Sequence, residues 1–299
     1  MLKIFIDGRE GTTGLHIEER LEKLGGVRLL DIGPEKRKDP AERRRFLREA
    51  DAAFLCLPDA AAREAVELAG DAGTVIFDAS TAHRTAAGWA YGFPELSPAH
   101  RAAIQGSNRV AVPGCHATGF SAIVYPLVQA GLISPDQALS CVSLTGYSGG
   151  GKALIAEYEG PDAPKDARMY ALGLAHKHLP EMTAVCGLRA DPVFMPVLIP
   201  VYRGMLVSVP LAAPPEPVYQ HLAGWYKDAD HVRVKPFGEA PDGGRLSMET
   251  CNGTDILELF VYGHDAQTLV AARLDNLGKG ASGAAVQCLK LRFPQLTEG

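Results

Sequence analysis

Short apolar runs that stop at glycine, proline or acid alternate with stretches of helical period from the N-terminus as far as Gly114. Leu2 to Asp7 (LKIFID), Val27 to Ile32 (VRLLDI), Ala52 to Pro58 (AAFLCLP), Gly73 to Ser80 (GTVIFDAS) and Arg109 to Gly114 (RVAVPG) have the length and continuous apolarity of strands buried on both faces. Between them, Leu15 to Leu24 has the spacing of an amphipathic helix. Asp39 to Ala50 reads as a helix with Asp39 as N-cap and Pro40 at its first position. The Arg43 to Arg45 run in that helix reads as a solvated face. Such regular alternation predicts a parallel, doubly wound sheet.

Beyond Cys115 the pattern changes. One helix, from about Thr118 to Gly131, precedes longer strands of alternating character, among them ALSCVSLT, VFMPVLIPVYRGMLVSVPL and DILELFVYG. They lack regular helical crossovers, which predicts a second, α+β domain with a mixed or largely antiparallel sheet. Leu274 to Phe293 reads as a closing helix. The expected division is residues 1–114 and 115–274, with a C-terminal helical segment at 275–299.

A chain of 299 residues suits two such domains. Its net charge of −5 gives no reason to expect nucleic acid or an anionic membrane as partner. No run of about 18 apolar residues occurs, so no membrane span is expected. The opening MLKIFIDGREG reads as a first strand, not a signal peptide. Six cysteines are scattered singly, without the paired spacing of disulfide frameworks or zinc sites, and the expected location is the cytoplasm.

Four motifs carry chemistry. Gly8, Gly11 and Gly14, with Thr12 and Thr13, form a G-x-x-G-x-x-G turn between the first strand and the first helix. Glycines there allow a pyrophosphate close to the backbone and to the helix N-terminus. The alternative is an ordinary tight turn. Lys36, Arg37 and Lys38 follow the second strand, close to Asp31. A basic cluster suits a 2′-phosphate and hence NADP, whereas the acid suits NAD, and a plain solvated turn is the third reading.

Cys115, in VPGCHATG, stands where a helix begins, so helix N–H groups and the macrodipole favour its thiolate. A buried structural cysteine is the competing reading. The box HKHLPE supplies His176 and His178 for proton transfer and Glu181 to orient an imidazole. Two histidines without a third ligand make a metal the weaker interpretation, and none is expected. GYSGGGKA (146–153) fits a phosphate-binding P-loop until Ala153 replaces the hydroxyl that holds Mg²⁺. A dinucleotide turn, a thiol and a histidine together point to an NAD(P)-dependent enzyme. It would interconvert an aldehyde and an acyl derivative through a thioester.

The chain resembles the N-acetyl-γ-glutamyl-phosphate reductases of arginine biosynthesis in their shorter bacterial form. GREGTTG, DASTAHR (78–84), YGFPEL (91–96), VPGCHATG, GYSGGGK, HKHLPE, PVYRGMLVSV (200–209) and LDNLGKGASGAAVQ carry the likeness nearly end to end. The resemblance implies a Rossmann-type domain for NADPH and a semialdehyde-dehydrogenase-like catalytic domain. It also implies that the C-terminal helix packs back on the first domain. The substrate would be a small-molecule acyl phosphate, and the assembly a homodimer or homotetramer.

The same resemblance implies Cys115 as nucleophile, His176 as proton donor (with His178 less favoured) and Glu181 as its support. It places Ser80 among the cofactor contacts, and Arg84, Ser148 and Gly149 near the substrate or its phosphate. Lys152 becomes at most an auxiliary charge in a glycine loop. Val112 departs from the asparagine expected before Pro-Gly-Cys, which puts one loop hydrogen bond in question. Rival readings are aspartate-semialdehyde dehydrogenase, a reductase of carrier-bound aminoadipyl phosphate, a P-loop phosphotransferase and a non-enzymatic NADP sensor.

Overall fold

The computed structural model describes residues 1–298, and the chain divides into two compact units, Met1–Pro113 with the returning C-terminal segment from Ala281, and Gly114–Gly280. Gly299, included in the expected closing helix, lies outside the described residues. Among the described residues no helix is long and apolar enough to cross a membrane.

The first unit runs β1 (Leu2–Asp7), α1 (Thr12–Leu21), β2 (Leu24–Gly25), β3 (Val27–Leu30), α2 (Pro40–Glu49), β4 (Ala52–Leu55), α3 (Asp59–Ala69), β5 (Val75–Asp78), β6 (Ala90–Tyr91), α4 (Pro98–Gly106) and β7 (Arg109–Ala111). Six of these strands form one parallel sheet in the order β3-β1-β4-β5-β7-β6, with Ile4 level with Leu29 on one side and Ala52 on the other. Strand periodicity divides the side chains between two cores. Ile4, Ile6, Phe54 and Phe77 join Ile17, Leu21 and Ile104 on one face. Phe5, Ala53, Leu55 and Ile76 meet Phe46, Leu47, Ala62 and Ala65 on the other. Full burial of rings such as Phe5, Phe54 and Phe77 contributes roughly 1.5–3 kcal/mol each.

Asp39 caps α2 as expected, accepting from Ala41 N at 2.8 Å. Arg43 overturns part of the solvated-face reading. It is buried and clamps Asp7 through Nε (3.1 Å) and Nη2 (3.0 Å) and Glu64 through Nη1 (2.6 Å). A carboxylate at the end of a buried strand needs such a partner.

The second unit contains α5 (Cys115–Gln129), β8 (Ser140–Gly146), a 3₁₀ turn (Tyr147–Gly150), α6 (Gly151–Glu159), β9 (Arg168–Met169), α7 (Leu179–Cys186), β10 (Val193–Ile199), β11 (Met205–Leu211), α8 (Pro215–Trp225), β12 (Val232–Val234), β13 (Leu257–His264) and β14 (Gln267–Leu274). Seven strands form a mixed sheet, β12-β13-β14-β11-β8-β10-β9, in which β8 and β10 are parallel and β11 is antiparallel to both β8 and β14. Helix α5 lies so close to this sheet that a Cβ at Gly119 would come within 2.5 Å of the Val207 side chain. The long apolar run 193–211 is thus two strands separated by Pro200–Gly204.

The chain then returns to the first unit as α9 (Gly283–Arg292) and β15 (Thr297–Glu298), which pairs with β2. Ala284, Ala285, Cys288 and Leu289 complete the core on the α1 side of the parallel sheet. The expected single closing helix is therefore shorter than 275–299. Asp275 and Asn276 are drawn out of helical register by their own hydrogen bonds, a π-helical turn spans Gly278–Ser282, and only then does α9 begin.

Candidate active site

The glycine turn follows β1, where the first unit reverses its winding between β3 and β4. In open α/β sheets ligands bind outside the strand ends at such a switch point. Gly8 has φ +85°, and a Cβ there would sit 2.3 Å from Cys56 O. A Cβ at Gly14 would lie 2.7 Å from both Arg9 O and Gly8 O. Gly11 is the N-cap of α1, whose first turn has no acidic residue, and the buried Thr12 Oγ1 has no hydrogen-bond partner among the described residues. An open helix N-terminus with an unsatisfied hydroxyl fits the pyrophosphate of a dinucleotide.

The charged residues nearby are already engaged with one another. Arg37 pairs with Glu10, Lys36 with Glu42 at 3.5 Å, and Arg9 with Glu18 and with Asp31 at 3.6 Å. Arg9, which the sequence reading did not single out, thus ties the turn to the end of the second strand. Ser80 is held inside a polar knot. Its N and Oγ donate to Asp78 (2.9 and 2.8 Å), which also holds His83 Nδ1 at 2.6 Å. Arg84 donates Nε to Val112 O (3.0 Å) and Nη2 to Ala79 O (3.1 Å). That clamp binds the backbone of Val112, the residue standing where an asparagine was expected.

In the second unit, Cys115 is the first residue of α5, with Gly114 as N-cap and no acid in the first turn. N–H groups of that turn have no helical acceptor and face whatever charge develops at the thiol. The thiol is half-buried, and Gly280 leaves room for it, since a Cβ there would fall 2.9 Å from Cys115 Cβ. Other cysteines are unsuited to ionise. Burial pushes Cys56, Cys186 and Cys251 up to about 12, and Cys141 higher still.

Three histidine rings gather in this unit, one of them on the residue that follows Cys115. His116, His176 and His178 have centroids 4.8–5.5 Å apart, packed with Tyr170 and Phe194. Among the described residues no three His, Cys, Asp or Glu side chains gather as a metal site. His176 Nδ1 accepts from His178 N at 3.1 Å, so a neutral His176 carries its proton on Nε2. Burial, and secondarily the charge of Lys177, lowers the His176 pKa to about 4. His116 is buried and lowered to about 3, by burial first and then by His176 and Lys177. Both rings are neutral at physiological pH. Glu181 is 2% exposed and accepts from Gly114 N at 2.8 Å, so this carboxylate fixes the backbone immediately before Cys115.

These pKa shifts imply a pH dependence of stability. Between the ordinary histidine value and about pH 3, the unfolded chain takes up a proton that folded His116 refuses. Stability is therefore complete above about pH 6.5 and is lost as pH falls. From pH 7 to 4.5, His116 alone accounts for a loss of about 2–3 kcal/mol. Urea unfolding at the two pH values should show a smaller loss in His116→Gln, and equal losses would contradict the assignment.

The glycine loop 146–151 differs from a P-loop in the use of its N–H groups. Gly146 N, Tyr147 N and Ser148 N donate to the carbonyls of Gly204, Val201 and Tyr202, and Gly151 N donates to Ser148 O. Ser148 Oγ accepts from Asn276 Nδ2 at 3.0 Å, a Cβ at Gly149 would lie 3.4 Å from that same Nδ2, and Lys152 is exposed. The loop is spent on internal bonding rather than open to a phosphate cradle. Asn276, absent from the predicted site, links it to Gly204 N through Oδ1.

Comparison with known proteins agrees with this geometry. Residues 8–104 match the family model for the semialdehyde dehydrogenase NAD binding domain, and 115–276 the semialdehyde dehydrogenase dimerisation domain. An N-acetyl-gamma-glutamyl-phosphate reductase from Chelativorans sp. is 46% identical, with 98% of this chain and 99% of the relative aligned. A second, N-acetyl-gamma-glutamyl-phosphate reductase 2 from Nostoc sp., is 44% identical over 97% and 96%. This chain belongs to the N-acetyl-γ-glutamyl-phosphate reductase family. Its fold is shared with aspartate semialdehyde dehydrogenase II from Vibrio cholerae, at TM-score 0.73 and 18% identity over 99% of each chain. Against the family's motifs, the cysteine box and HKHLPE stand together in the second unit and the glycine turn in the first.

Proposed function

We propose that this chain reduces N-acetyl-γ-glutamyl phosphate to N-acetyl-L-glutamate 5-semialdehyde, releasing phosphate, in arginine biosynthesis. The observation that carries the reading is Cys115 at the first position of α5, followed by His116 of a histidine cluster in which His116 and His176 are neutral, in a chain that also holds an open dinucleotide turn. The Cys115 thiolate attacks the acyl carbon, the C–O bond to phosphate breaks, and a thioester remains. N–H groups in the first turn of α5 stabilise the oxyanion formed on the way. His176 presents Nε2–H as a second donor to that oxygen. A neutral imidazole suits this task better than the outright proton donation expected from the sequence. Glu181 keeps Gly114, and with it the start of α5, in place.

Gly8, Gly11, Thr12, Thr13 and Gly14 would hold NADPH, with Lys36 and Arg37 toward its 2′-phosphate, and the bound cofactor would supply the hydride. The resulting thiohemiacetal collapses to free aldehyde and returns the thiolate. Ser80 and Arg84 support the loops that follow β5 and β7 in the first unit. Ser148 and Gly149 shape the glycine loop of the second unit for the substrate. We read the protein as a cytoplasmic homodimer or homotetramer, an assembly that light scattering at working concentration measures.

Phosphate-dependent reduction of NADP⁺ with N-acetylglutamate semialdehyde, compared with aspartate semialdehyde and with NAD⁺, tests the whole reading. The expected result is turnover with the first aldehyde and preference for NADP⁺. No rate with it, or a higher rate with the aspartate aldehyde, would overturn the substrate assignment.

A further inference from the structure

His176 stands in a box of rings. Its centroid lies 4.8 Å from that of His178, 5.1 Å from Phe194, 5.5 Å from His116 and 5.8 Å from Tyr170, with interplanar angles of 65° to 86°. Within the box, Nδ1 accepts from His178 N, which leaves the proton of a neutral ring on Nε2. That Nε2 has no hydrogen-bond partner among the described residues. Its use as a donor depends on the box keeping the ring in one orientation. Phe194 is a buried side chain of β10, and His178 is the N-cap of α7. The other two walls, His116 and Tyr170, are tied to each other.

His116 is fully enclosed, with Nδ1 2.7 Å from Ser143 Oγ and Nε2 2.9 Å from Tyr170 OH. A neutral imidazole has one donor and one acceptor, so the direction of these bonds is a choice between tautomers. Ser143 decides it. Its side chain, on β8, is completely buried, and among the described residues its hydroxyl meets only His116 Nδ1. If Nδ1 carried the proton, the Ser143 hydroxyl would accept and its own hydrogen would be buried without an acceptor. Ser143 therefore donates to Nδ1, and His116 Nε2–H donates to the phenol oxygen of Tyr170. With both nitrogens engaged, His116 offers His176 a wall and no partner for proton exchange.

Tyr170 opens the segment that carries His176. Its N donates to Pro196 O at 3.1 Å, and the bond from His116 anchors its side chain. The chain between is exposed, Leu172 at 73% and Leu174 at 52%. Ala171 and Leu174 also take left-handed φ values, +51° and +53°. Residues with a Cβ keep such φ only where their surroundings impose it. An exposed segment has little packing of its own to do so, and the constraint comes from its two anchored ends, Tyr170 on one side and His176 to Leu179 on the other.

We propose that Ser143, His116 and Tyr170 are positioning residues for His176. The hydrogen bonds from Ser143 to His116 and from His116 to Tyr170 lock two walls of the box, and the locked box keeps His176 Nε2–H presented as a donor. This rests on the reading in which His176 donates to the acyl oxygen. No proton moves along the chain: Ser143 O–H, His116 Nε2–H and His176 Nε2–H all keep their hydrogens. The three residues act on the reaction only through the His176 ring.

Two measurements on the full-length protein test it. In protein labelled with ¹⁵N-histidine, the ring nitrogen shifts should place the proton of both His116 and His176 on Nε2. Tyr170→Phe keeps the ring and loses the hydroxyl, and Ser143→Ala loses the hydroxyl that sets the tautomer. In each, the His176 shifts should move toward the average of two tautomers. In turnover of N-acetylglutamate semialdehyde, each variant should lower kcat about three- to tenfold with KM and NADPH affinity within about twofold of wild type. Placed in a His176→Ala background, neither should lower kcat further, because the ring they position is gone. Thermal unfolding confirms that each variant is folded. A His116 proton on Nδ1, unchanged His176 shifts in both variants, or an undiminished loss of kcat in the His176→Ala background overturns the proposal. Wild-type kcat in His176→Ala alone would instead overturn the donor role of His176, and the shifts, which need no turnover, separate the two failures.

Discussion

Cys115→Ser should lower kcat/KM for N-acetylglutamate semialdehyde by about a thousandfold or more while leaving NADPH binding within about twofold of wild type. Serine matches cysteine in size and is tolerated in a helix first turn, so the start of α5 survives the change. What disappears is an atom that can carry negative charge at neutral pH. The N–H groups of the α5 first turn and the neutral His176 can favour a thiolate whose ordinary pKa is about 8.5. The same groups cannot ionise an alkanol. The other thiols are poor substitutes, because burial raises the pKa of Cys56, Cys141, Cys186 and Cys251 and Cys288 is fully enclosed in the core of the first unit. Cofactor affinity, followed by NADPH fluorescence, separates lost chemistry from lost structure, since the glycine turn belongs to the other unit. A residual rate within tenfold of wild type would move the nucleophile elsewhere.

Much of this site was legible because its components are local. A glycine turn after an apolar strand, a cysteine at a helix start and an HxHxxE box each fit within a few residues. Local periodicity likewise predicted β1 as Leu2–Asp7 and the cap of α2 at Asp39. Roles set by distant partners were not legible. The hydrogen bond that Glu181 accepts from Gly114 N joins residues 67 apart. Arg43 looked solvated within RRR until Asp7, 36 residues away, was seen to require it. His116 passed unnoticed because nothing near it in sequence signals Ser143 or Tyr170, which lie 27 and 54 residues on.

The glycine loop shows the converse case, a motif whose spacing suggests more than its geometry provides. GYSGGGK has P-loop spacing and even the strand–turn–helix context, with β8 before it and α6 after. Its N–H groups nonetheless bond to the carbonyls of Val201, Tyr202 and Gly204. Spacing registers where glycines stand but not where the neighbouring donors point. A phosphate site needs donors left open, as at α1, and not donors already satisfied.

Gly8→Ala should reduce stability by about 2–4 kcal/mol and weaken NADPH at least tenfold, because two independent penalties fall on one residue. The first is backbone strain, since φ is +85° where an L-residue is disfavoured. The second is crowding, since the new Cβ would lie 2.3 Å from Cys56 O at the end of β4. Either the turn or the strand end must shift, and both border the proposed pyrophosphate site. Two control variants separate the terms. Gly73 has φ +80° with nothing within 4 Å, so Gly73→Ala carries strain alone, about 1 kcal/mol, and leaves NADPH binding unchanged. Gly14 lies within α1, and a Cβ there meets Arg9 O and Gly8 O at 2.7 Å. Gly14→Ala should therefore weaken NADPH through crowding alone. Denaturant unfolding and NADPH titration of the three variants give the order. If Gly8→Ala proved no worse than Gly73→Ala in both, close backbone approach at the turn would have no part in holding the cofactor.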